Sequence, residues 1–168
     1  MANLCSNYLV FEGNQKAIRD IHALFQYMKE QEEATGRGQL PEFLSEESGY
    51  FFELYWNEDD LDNYQYTTRW APNTEVLLKL ATHFNVDFTL DYEEMGCLVY
   101  GRAAFIGGTL TDICLENEDF DTYLWDEQED TYQFEGETYY SQWEILDILL
   151  ERRWRDGTTD EIQRSTDE

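Results

Sequence analysis

The apolar residues of the first hundred positions follow two different spacings, and their order limits the fold more than any other feature. In residues 14–34, and again after Asn73, apolar side chains recur every three to four positions, which predicts two amphipathic helices. Four short runs rich in β-branched and aromatic residues predict strands. These runs are 8–12, 50–56, 64–70 and 86–92. The predicted order is strand, helix, strand, strand, helix, strand.

This order is typical of a split βαβ arrangement, an antiparallel sheet with both helices on one face. We therefore predict an α+β fold with a ferredoxin-like core over residues 8–105. Segments 97–105 and 109–115 are predicted to extend that sheet as a β-meander. One large apolar set should be buried between the helices and the sheet: Ile21, Phe25, Leu77, Leu80 and Phe84.

The remaining third of the chain is predicted to add an acidic segment and a third helix. Residues 116–130 are rich in acids, and a weak strand follows at 132–134. Ser141 and Glu144 have the spacing of a capping box at the start of the helix. We expect a single acidic domain over 1–156 and a frayed acidic tail over 157–168.

Negative charge dominates the composition. The chain has 37 acids against 11 bases, a net charge of −26, and residues 103–150 contain 13 acids but no Lys or Arg. Such a charge opposes folding through self-repulsion, and it repels nucleic acid and anionic lipid. We therefore expect a basic nucleic-acid-binding protein as the partner, with no direct binding to nucleic acid or membrane. Self-association is left open.

The cysteines and the first residues bear on location. Cys5, Cys97 and Cys114 are odd in number and form no C-x-x-C pair, so they predict neither a disulfide framework nor a zinc site. No basic segment followed by an apolar run begins the chain, and no stretch is long enough to be a membrane span. A cytoplasmic protein with reduced thiols is the expectation.

Three short aromatic motifs resemble a known family. They are Asn7-Tyr-Leu-Val-Phe-Glu-Gly13 before a helix, Tyr66-Thr-Thr-Arg-Trp-Ala-Pro72 before the second helix, and Asp91-Tyr-Glu-Glu-Met-Gly96 followed by Tyr100-Gly101. Together they resemble a family of uncharacterised proteins that phages, conjugative plasmids and integrative elements carry and that have a ferredoxin-like domain. The resemblance covers roughly residues 1–105. It implies a mobile-element context and supplies no catalytic residues.

Catalytic patterns are missing from the sequence. His22 and His83 lie on the two predicted helices, where each is expected to be an ordinary packing or surface histidine. No hydrolase motif and no glycine-rich phosphate loop is present. Acids at 117–128 do not match a calcium loop, because the required glycine and the closing glutamate are missing. We expect no cofactor, no metal and no enzymatic activity; an enzyme that uses buried carboxylates remains a rival.

The acids themselves are the candidate partner-binding residues. In an extended chain, residues i and i+2 lie on one side about 6.6 Å apart, so Asp119 with Asp121 and Glu127 with Glu129 would form rows of anions. The full candidate set is Glu116, Glu118, Asp119, Asp121, Asp126, Glu127, Glu129 and Asp130, together with Glu58, Asp59, Asp60 and Asp62 from the loop between the second and third strands.

Aromatic residues alternate with these acids at Phe120, Tyr123 and Trp125. We expect them to pack inward and hold the segment in place, although exposed rings would serve as interface anchors.

These patterns lead to two functional hypotheses. In the first, the chain is an acidic DNA mimic from a mobile element that inhibits a host nucleic-acid-binding defence protein, such as a restriction or CRISPR effector. In the second, it is a non-catalytic regulatory or assembly protein that binds a partner through its sheet or helices, and the acids serve only solubility.

Overall fold

A computed structural model of the protein describes residues 3–166, with side chains as far as residue 158. The chain divides into two compact units, Met1–Asp112 and Ile113–Glu168, where the sequence pattern predicted a single domain over 1–156. We refer to them as unit 1 and unit 2.

Unit 1 contains a six-stranded sheet and two helices, and the last strand crosses into unit 2. The elements are β1 (Leu4–Glu12), α1 (Gln15–Thr35), β2 (Phe52–Tyr55), β3 (Asn63–Arg69), α2 (Thr74–Phe84), β4 (Asp87–Glu94), β5 (Val99–Ile106) and β6 (Thr109–Cys114).

The strand order in this sheet is β2-β3-β1-β4-β5-β6. Antiparallel pairing joins β1 to both β3 and β4, and β3 to β2. The first four strands and two helices thus form the split βαβ arrangement, and β5 and β6 continue it as a meander. The predicted α+β, ferredoxin-like fold is confirmed.

Both helices cover one face of this sheet. Along β1, exposed residues alternate with the buried Cys5, Asn7, Leu9 and Phe11. Leu9 lies opposite Tyr64 on β3 and Leu90 on β4, so the buried side chains of three strands share a face. The helix residues of the same cluster include Ile21, Phe25, Leu77 and Leu80, each with no exposed surface, as predicted.

Phe84 was predicted to be buried but is only half-buried. It occupies the last position of α2 and packs against the core cluster from its edge. There its ring contacts His83 at a centroid distance of 4.9 Å and Phe43 at 6.0 Å.

The ends of α1 follow from their cap residues. The Asn14 side chain accepts a hydrogen bond from the Ala17 amide at 2.9 Å, as expected of an N-cap. At the other end, Gly36 has φ of +65° and donates its amide to the Glu32 carbonyl. Glycine adopts this left-handed conformation without strain, so the helix ends one residue later than predicted.

Unit 2 is a small three-stranded sheet with one long helix. Its elements are a 3₁₀ helix (Asn117–Asp121), β7 (Leu124–Asp126), β8 (Thr131–Phe134), β9 (Glu137–Tyr139) and α3 (Gln142–Thr166). The strands pair antiparallel in the order β7-β8-β9. Only β8 was predicted, because β7 and β9 are three residues each and rich in acids and aromatics.

Helix α3 begins where the sequence predicted and ends later. The Ser141 hydroxyl accepts from the Trp143 amide at 3.3 Å, and the apolar residues Ile145, Leu146, Leu149 and Leu150 are buried. The sequence predicted a frayed tail over 157–168, whereas the backbone stays helical from Gly157 to Thr166. Residues 167–168 lie outside the described part of the chain. A glycine inside a helix costs only about 1 kcal/mol, so it does not have to end one.

Candidate acidic surface

The twelve candidate acids lie in three local structures. Four belong to the 3₁₀ helix or its cap, from Glu116 to Asp121, and four lie in the connection from β7 to β8, from Asp126 to Asp130. Both groups belong to unit 2. The other four, from Glu58 to Asp62, lie in the β2–β3 connection of unit 1; Glu58, Asp59 and Asp60 are exposed and Asp62 is half-buried.

Asp119 is a structural residue rather than a free anion. Its Oδ2 accepts from Arg153 Nε of α3 at 2.6 Å and from the Glu116 amide at 2.8 Å. Its side chain is 13% exposed, and Glu116 forms a longer ion pair of 3.6 Å with the same guanidinium. The hydrogen bond to Asp119 raises the pKa of Arg153 above its usual value. Arg153 follows Asp119 by 34 residues in sequence, so the composition of residues 103–150 did not reveal this partner.

Asp126 has a similar structural role in the β7–β8 turn. Its Oδ1 accepts from the amides of Gln128 at 2.9 Å and Glu129 at 3.3 Å, which closes the turn. The side chain of Asp126 therefore fixes the positions of Glu127 and Glu129. Because its Oδ1 already accepts two hydrogen bonds, the two oxygens of Asp126 are not both available to a partner.

The predicted rows of anions along an extended chain are not formed. Asp119 and Asp121 lie in a 3₁₀ helix, and Glu127 and Glu129 lie in a turn, so the two-residue spacing of a strand does not apply to either pair. In a 3₁₀ helix the residues that share a side are three apart. Glu118 and Asp121 have that spacing.

Five of the eight candidate acids in unit 2 are exposed and make no ion pair with any described residue. We call them the acidic surface: Glu118, Asp121, Glu127, Glu129 and Asp130. The whole unit has 18 acids against 4 bases, a net charge of −14 on 56 residues. Its bases are all on α3, and Arg152 and Arg153 already pair with acids of their own unit.

The aromatic residues beside these acids divide into two kinds. Tyr123 is half-buried, and its hydroxyl donates to Gln142 Oε1 at 3.3 Å, so it holds the segment to α3 as expected. Phe120 is also half-buried. The expectation was wrong for Trp125, which is 48% exposed and packs on Tyr132 with ring centroids 4.8 Å apart. Trp125 is therefore available as a contact residue.

Both histidines pack against aromatic side chains. Tyr64 donates its only hydroxyl proton to the Leu61 carbonyl at 2.6 Å, so His22 Nδ1, 3.1 Å from that hydroxyl, donates to it. Partial burial lowers the pKa of His22, which keeps the ring neutral at pH 7. His83 stacks on Phe43 at 3.9 Å. Both are packing residues in this structure.

A surface cavity of about 600 Å³ adjoins His22, between α1 and the β2–β3 connection. Its lining contains one carboxylate, that of Glu58, so converging carboxylates do not meet there. Lys29 stands 4.9 Å from the Trp56 ring centre at its edge.

Within residues 3–166, no group of three or more His, Cys, Asp or Glu residues could hold a metal ion. Over the same range, no helix combines the length and apolar character that crossing a bilayer requires. The three cysteines are free; Cys5 is buried, and Cys97 and Cys114 are exposed.

Comparison with known proteins supplies the family. No curated protein and no solved structure is significantly similar to the chain. A family model, that of the ferredoxin-like domain in Api92-like protein, matches residues 51–135, about half of the chain. The match runs from β2 to β8, so it includes the acidic segment 116–130, which our motif-based resemblance did not cover. The chain therefore belongs to the family of the ferredoxin-like domain in Api92-like protein.

Proposed function

We propose that the protein is a non-catalytic DNA mimic whose acidic surface occupies the basic groove of a nucleic-acid-binding protein. One observation carries the proposal: five exposed carboxylates of unit 2 are held on a folded scaffold, and none of them forms an ion pair with a described side chain. A basic groove binds such a surface because the potentials are complementary.

The way the acids are held supports this reading. DNA presents one negative charge per about 1.7 Å of helix axis at fixed positions. In unit 2, Arg153 with Asp119 fixes the 3₁₀ helix, and Asp126 fixes the β7–β8 turn. Charges on a fixed scaffold bind with less loss of entropy than charges on a flexible tail.

The setting we propose is that of the sequence resemblance. A mobile element that enters a bacterial cell meets restriction and CRISPR effectors, which bind DNA or RNA through Lys- and Arg-lined grooves. An inhibitor of these effectors acts in the cytoplasm and needs neither cofactor nor metal. The proposed role is antirestriction or anti-CRISPR inhibition by competition with nucleic acid.

The second candidate, a regulatory or assembly protein, is favoured by the open face of the sheet in unit 1. Leu4 and Tyr8 of β1 point away from the helices and are 50% and 44% exposed. Gln65 lies between Tyr8 and the 53% exposed Tyr55 in the pairing of β1, β3 and β2. Exposed tyrosines on one face are typical interface anchors.

Competition with DNA tests the first candidate. The full chain is used to capture nucleic-acid-binding proteins from extract of the natural host, and each captured protein is bound to a fluorescent DNA duplex. We expect the chain to displace the duplex, with an affinity that falls as salt rises. A variant with E118Q, D121N, E127Q, E129Q and D130N should need at least about tenfold more protein for the same displacement.

A matched control removes the same number of exposed acids from unit 1, through E12Q, E30Q, E33Q, E47Q and E75Q. It should displace the duplex within about twofold of the unchanged chain, because its acidic surface is intact. Equal displacement by both five-residue variants would contradict the mimic. If Tyr8→Ser then abolished binding, the sheet would be the contact surface.

A further inference from the structure

Beside the acidic surface runs a row of aromatic rings across the small sheet of unit 2. Trp125 of β7 pairs with Tyr132 of β8, which pairs with Tyr139 of β9, so the three side chains share one face. Trp125 is the most exposed of the three, and it directly precedes the turn that bears Glu127, Glu129 and Asp130. An indole face and three carboxylates therefore lie within six residues of chain.

Unit 2 already holds one arginine with this combination of groups. The Arg152 guanidinium stands 5.6 Å from the Phe134 ring centre, and its two terminal nitrogens donate to the two oxygens of Glu135 at 2.7 and 2.8 Å. Phe134 and Glu135 are adjacent at the end of β8. A ring and a neighbouring carboxylate on this sheet thus contact the guanidinium of Arg152 together.

At the other end of β8 the same two groups are present without an occupant. Trp125 contacts Tyr132, and no Lys or Arg among the described side chains lies over its ring. The carboxylates of Glu127, Glu129 and Asp130 make no ion pair with a described residue.

We propose that Trp125 and the adjoining carboxylates form a receptor for arginine side chains of the partner, and that unit 2 prefers an arginine-bearing surface to a lysine-bearing one. The inference rests on the proposed function, because it names the basic residue that the acidic surface takes. Arginine is planar, so it can stack on the indole while it donates in parallel to a carboxylate. The compact lysine ammonium is more strongly hydrated and presents no such plane.

Two synthetic peptides of equal charge test the preference with the full chain. One peptide contains eight Gly-Arg repeats, the other contains eight Gly-Lys repeats, and both have blocked ends. Their binding to the full chain is measured by calorimetry in low salt. We expect the arginine peptide to bind about tenfold more tightly, the size of a well-placed cation–π contact. In Trp125→Leu that ratio should fall to about twofold or less, and Trp125→Phe should give an intermediate value.

Trp70→Leu is the matched control, since Trp70 is 53% exposed in unit 1 and away from the acidic surface in sequence. It should keep the full preference. Far-UV circular dichroism checks that each variant is folded, and Trp125→Phe retains a ring against Tyr132 should Trp125→Leu unfold.

The outcomes separate this inference from the proposed function. Equal affinity for the two peptides, or a preference that survives in both Trp125 variants, overturns the arginine receptor. If binding is nonetheless lost in the variant that lacks the five acids of the acidic surface, the mimic stands as a purely electrostatic one. If neither peptide binds the unchanged chain, both proposals fail.

Discussion

At the scale of single residues, two short ion pairs between unit 2 acids and α3 differ in how much they should stabilise the fold. The Arg153 and Asp119 side chains are 35% and 13% exposed, and Asp119 also bonds a backbone amide. The Arg152 and Glu135 side chains are 45% and 56% exposed. Exposed pairs contribute about 0–1 kcal/mol, whereas an uncompensated charge in a partly buried place costs more.

We therefore predict that R153Q destabilises unit 2 by about 1–2 kcal/mol, a value reduced for the partial exposure of the guanidinium. Urea unfolding followed by circular dichroism measures the loss. Hydrogen exchange should also become faster over 116–122, because Asp119 no longer holds the 3₁₀ helix.

R152Q is the control for that change, since it removes the same charge from the adjacent position. It should cost less than about 1 kcal/mol and leave exchange at 116–122 unchanged. An equal effect of the two substitutions would mean that Asp119 does not depend on Arg153.

Glu94 is a second residue whose charge is used locally, in unit 1. Its two oxygens accept from the amides of Gly96 and Cys97 at 2.9 and 2.6 Å, which forms the 3₁₀ turn Met95–Cys97. The hydrogen bond with the Cys97 thiol is the main cause that lowers the pKa of Glu94, and the same bond raises the pKa of Cys97.

Because the pKa of Glu94 is lower in the folded than in the unfolded chain, its contribution to stability is present above the unfolded pKa. It is lost as the pH falls through the folded pKa. We predict that E94Q is less stable than the unchanged protein at pH 7 and that the difference narrows below the ordinary pKa of 4.5. Urea midpoints at neutral and acid pH measure this.

The thiol gives an independent readout of the same contact. In E94Q the pKa of Cys97 should fall toward its usual value, so Cys97 should react faster with a thiol reagent near neutral pH, with the exposed Cys114 as internal reference. A stability difference that does not change with pH, together with an unchanged Cys97 rate, would contradict this role of Glu94.

At the scale of elements, β2 is one of the two edge strands of the large sheet, and a residue of α1 bonds its backbone amides. Glu53 has φ of +56°, which interrupts the pairing of β2 with β3. Its amide donates to Glu32 Oε1 of α1 at 2.7 Å, and the Leu54 amide lies 3.5 Å from Oε2. A carboxylate thus takes the amides that an added strand would otherwise use.

We predict that E32A lowers the stability of unit 1 by about 0.5–1.5 kcal/mol, because the Glu53 amide loses its acceptor. E33A is the control: it removes the same charge from an exposed position of the same helix and should be close to neutral. Urea unfolding compares the two. Equal stability of E32A and E33A would show that water can replace Glu32 as the acceptor of the Glu53 amide without a loss of stability.

The elements of unit 1 were predictable because each buried face has a regular spacing. Helix α1 begins directly after Asn14, as predicted, and ends one residue later than predicted, and the four strands of the core are all present. The first half of β1 was missed because Asn7, a polar residue, occupies a buried position. Its Nδ2 donates there to the Cys5 carbonyl and to Thr68 Oγ1, which no local pattern indicates.

The acidic surface was predictable only as a region. The sequence shows which segments are rich in acids, but it could not separate Asp119 and Asp126 from the other acids. Their roles depend on Arg153, which follows 34 residues after Asp119, and on a turn whose amides bond Asp126.

At the scale of the whole molecule, negative charge is concentrated in the smaller unit. Unit 2 carries −14 on 56 residues, whereas unit 1 carries −12 on 112. Like charges held close together oppose the compact state. Unit 2 keeps this charge although its apolar core is small, with buried residues such as Leu115, Phe134 and those of α3.

This imbalance predicts that salt stabilises the protein, since shielding shortens the range of repulsion from about 30 Å at 0.01 M to about 10 Å at 0.1 M. The thermal midpoint should rise over that range. Neutralising the five acids of the acidic surface should raise the midpoint at 0.01 M salt and flatten its salt dependence. The five-residue control in unit 1 should change the midpoint and its salt dependence less, because the charges it removes stand farther apart along the chain.

A thermal midpoint that falls as salt rises, or equal flattening of its salt dependence by both variants, would mean that favourable ion pairs such as Arg153 with Asp119 outweigh the repulsion. In that case the acidic surface would not destabilise the protein, and its proposed role would not be needed to explain why a destabilising charge is retained.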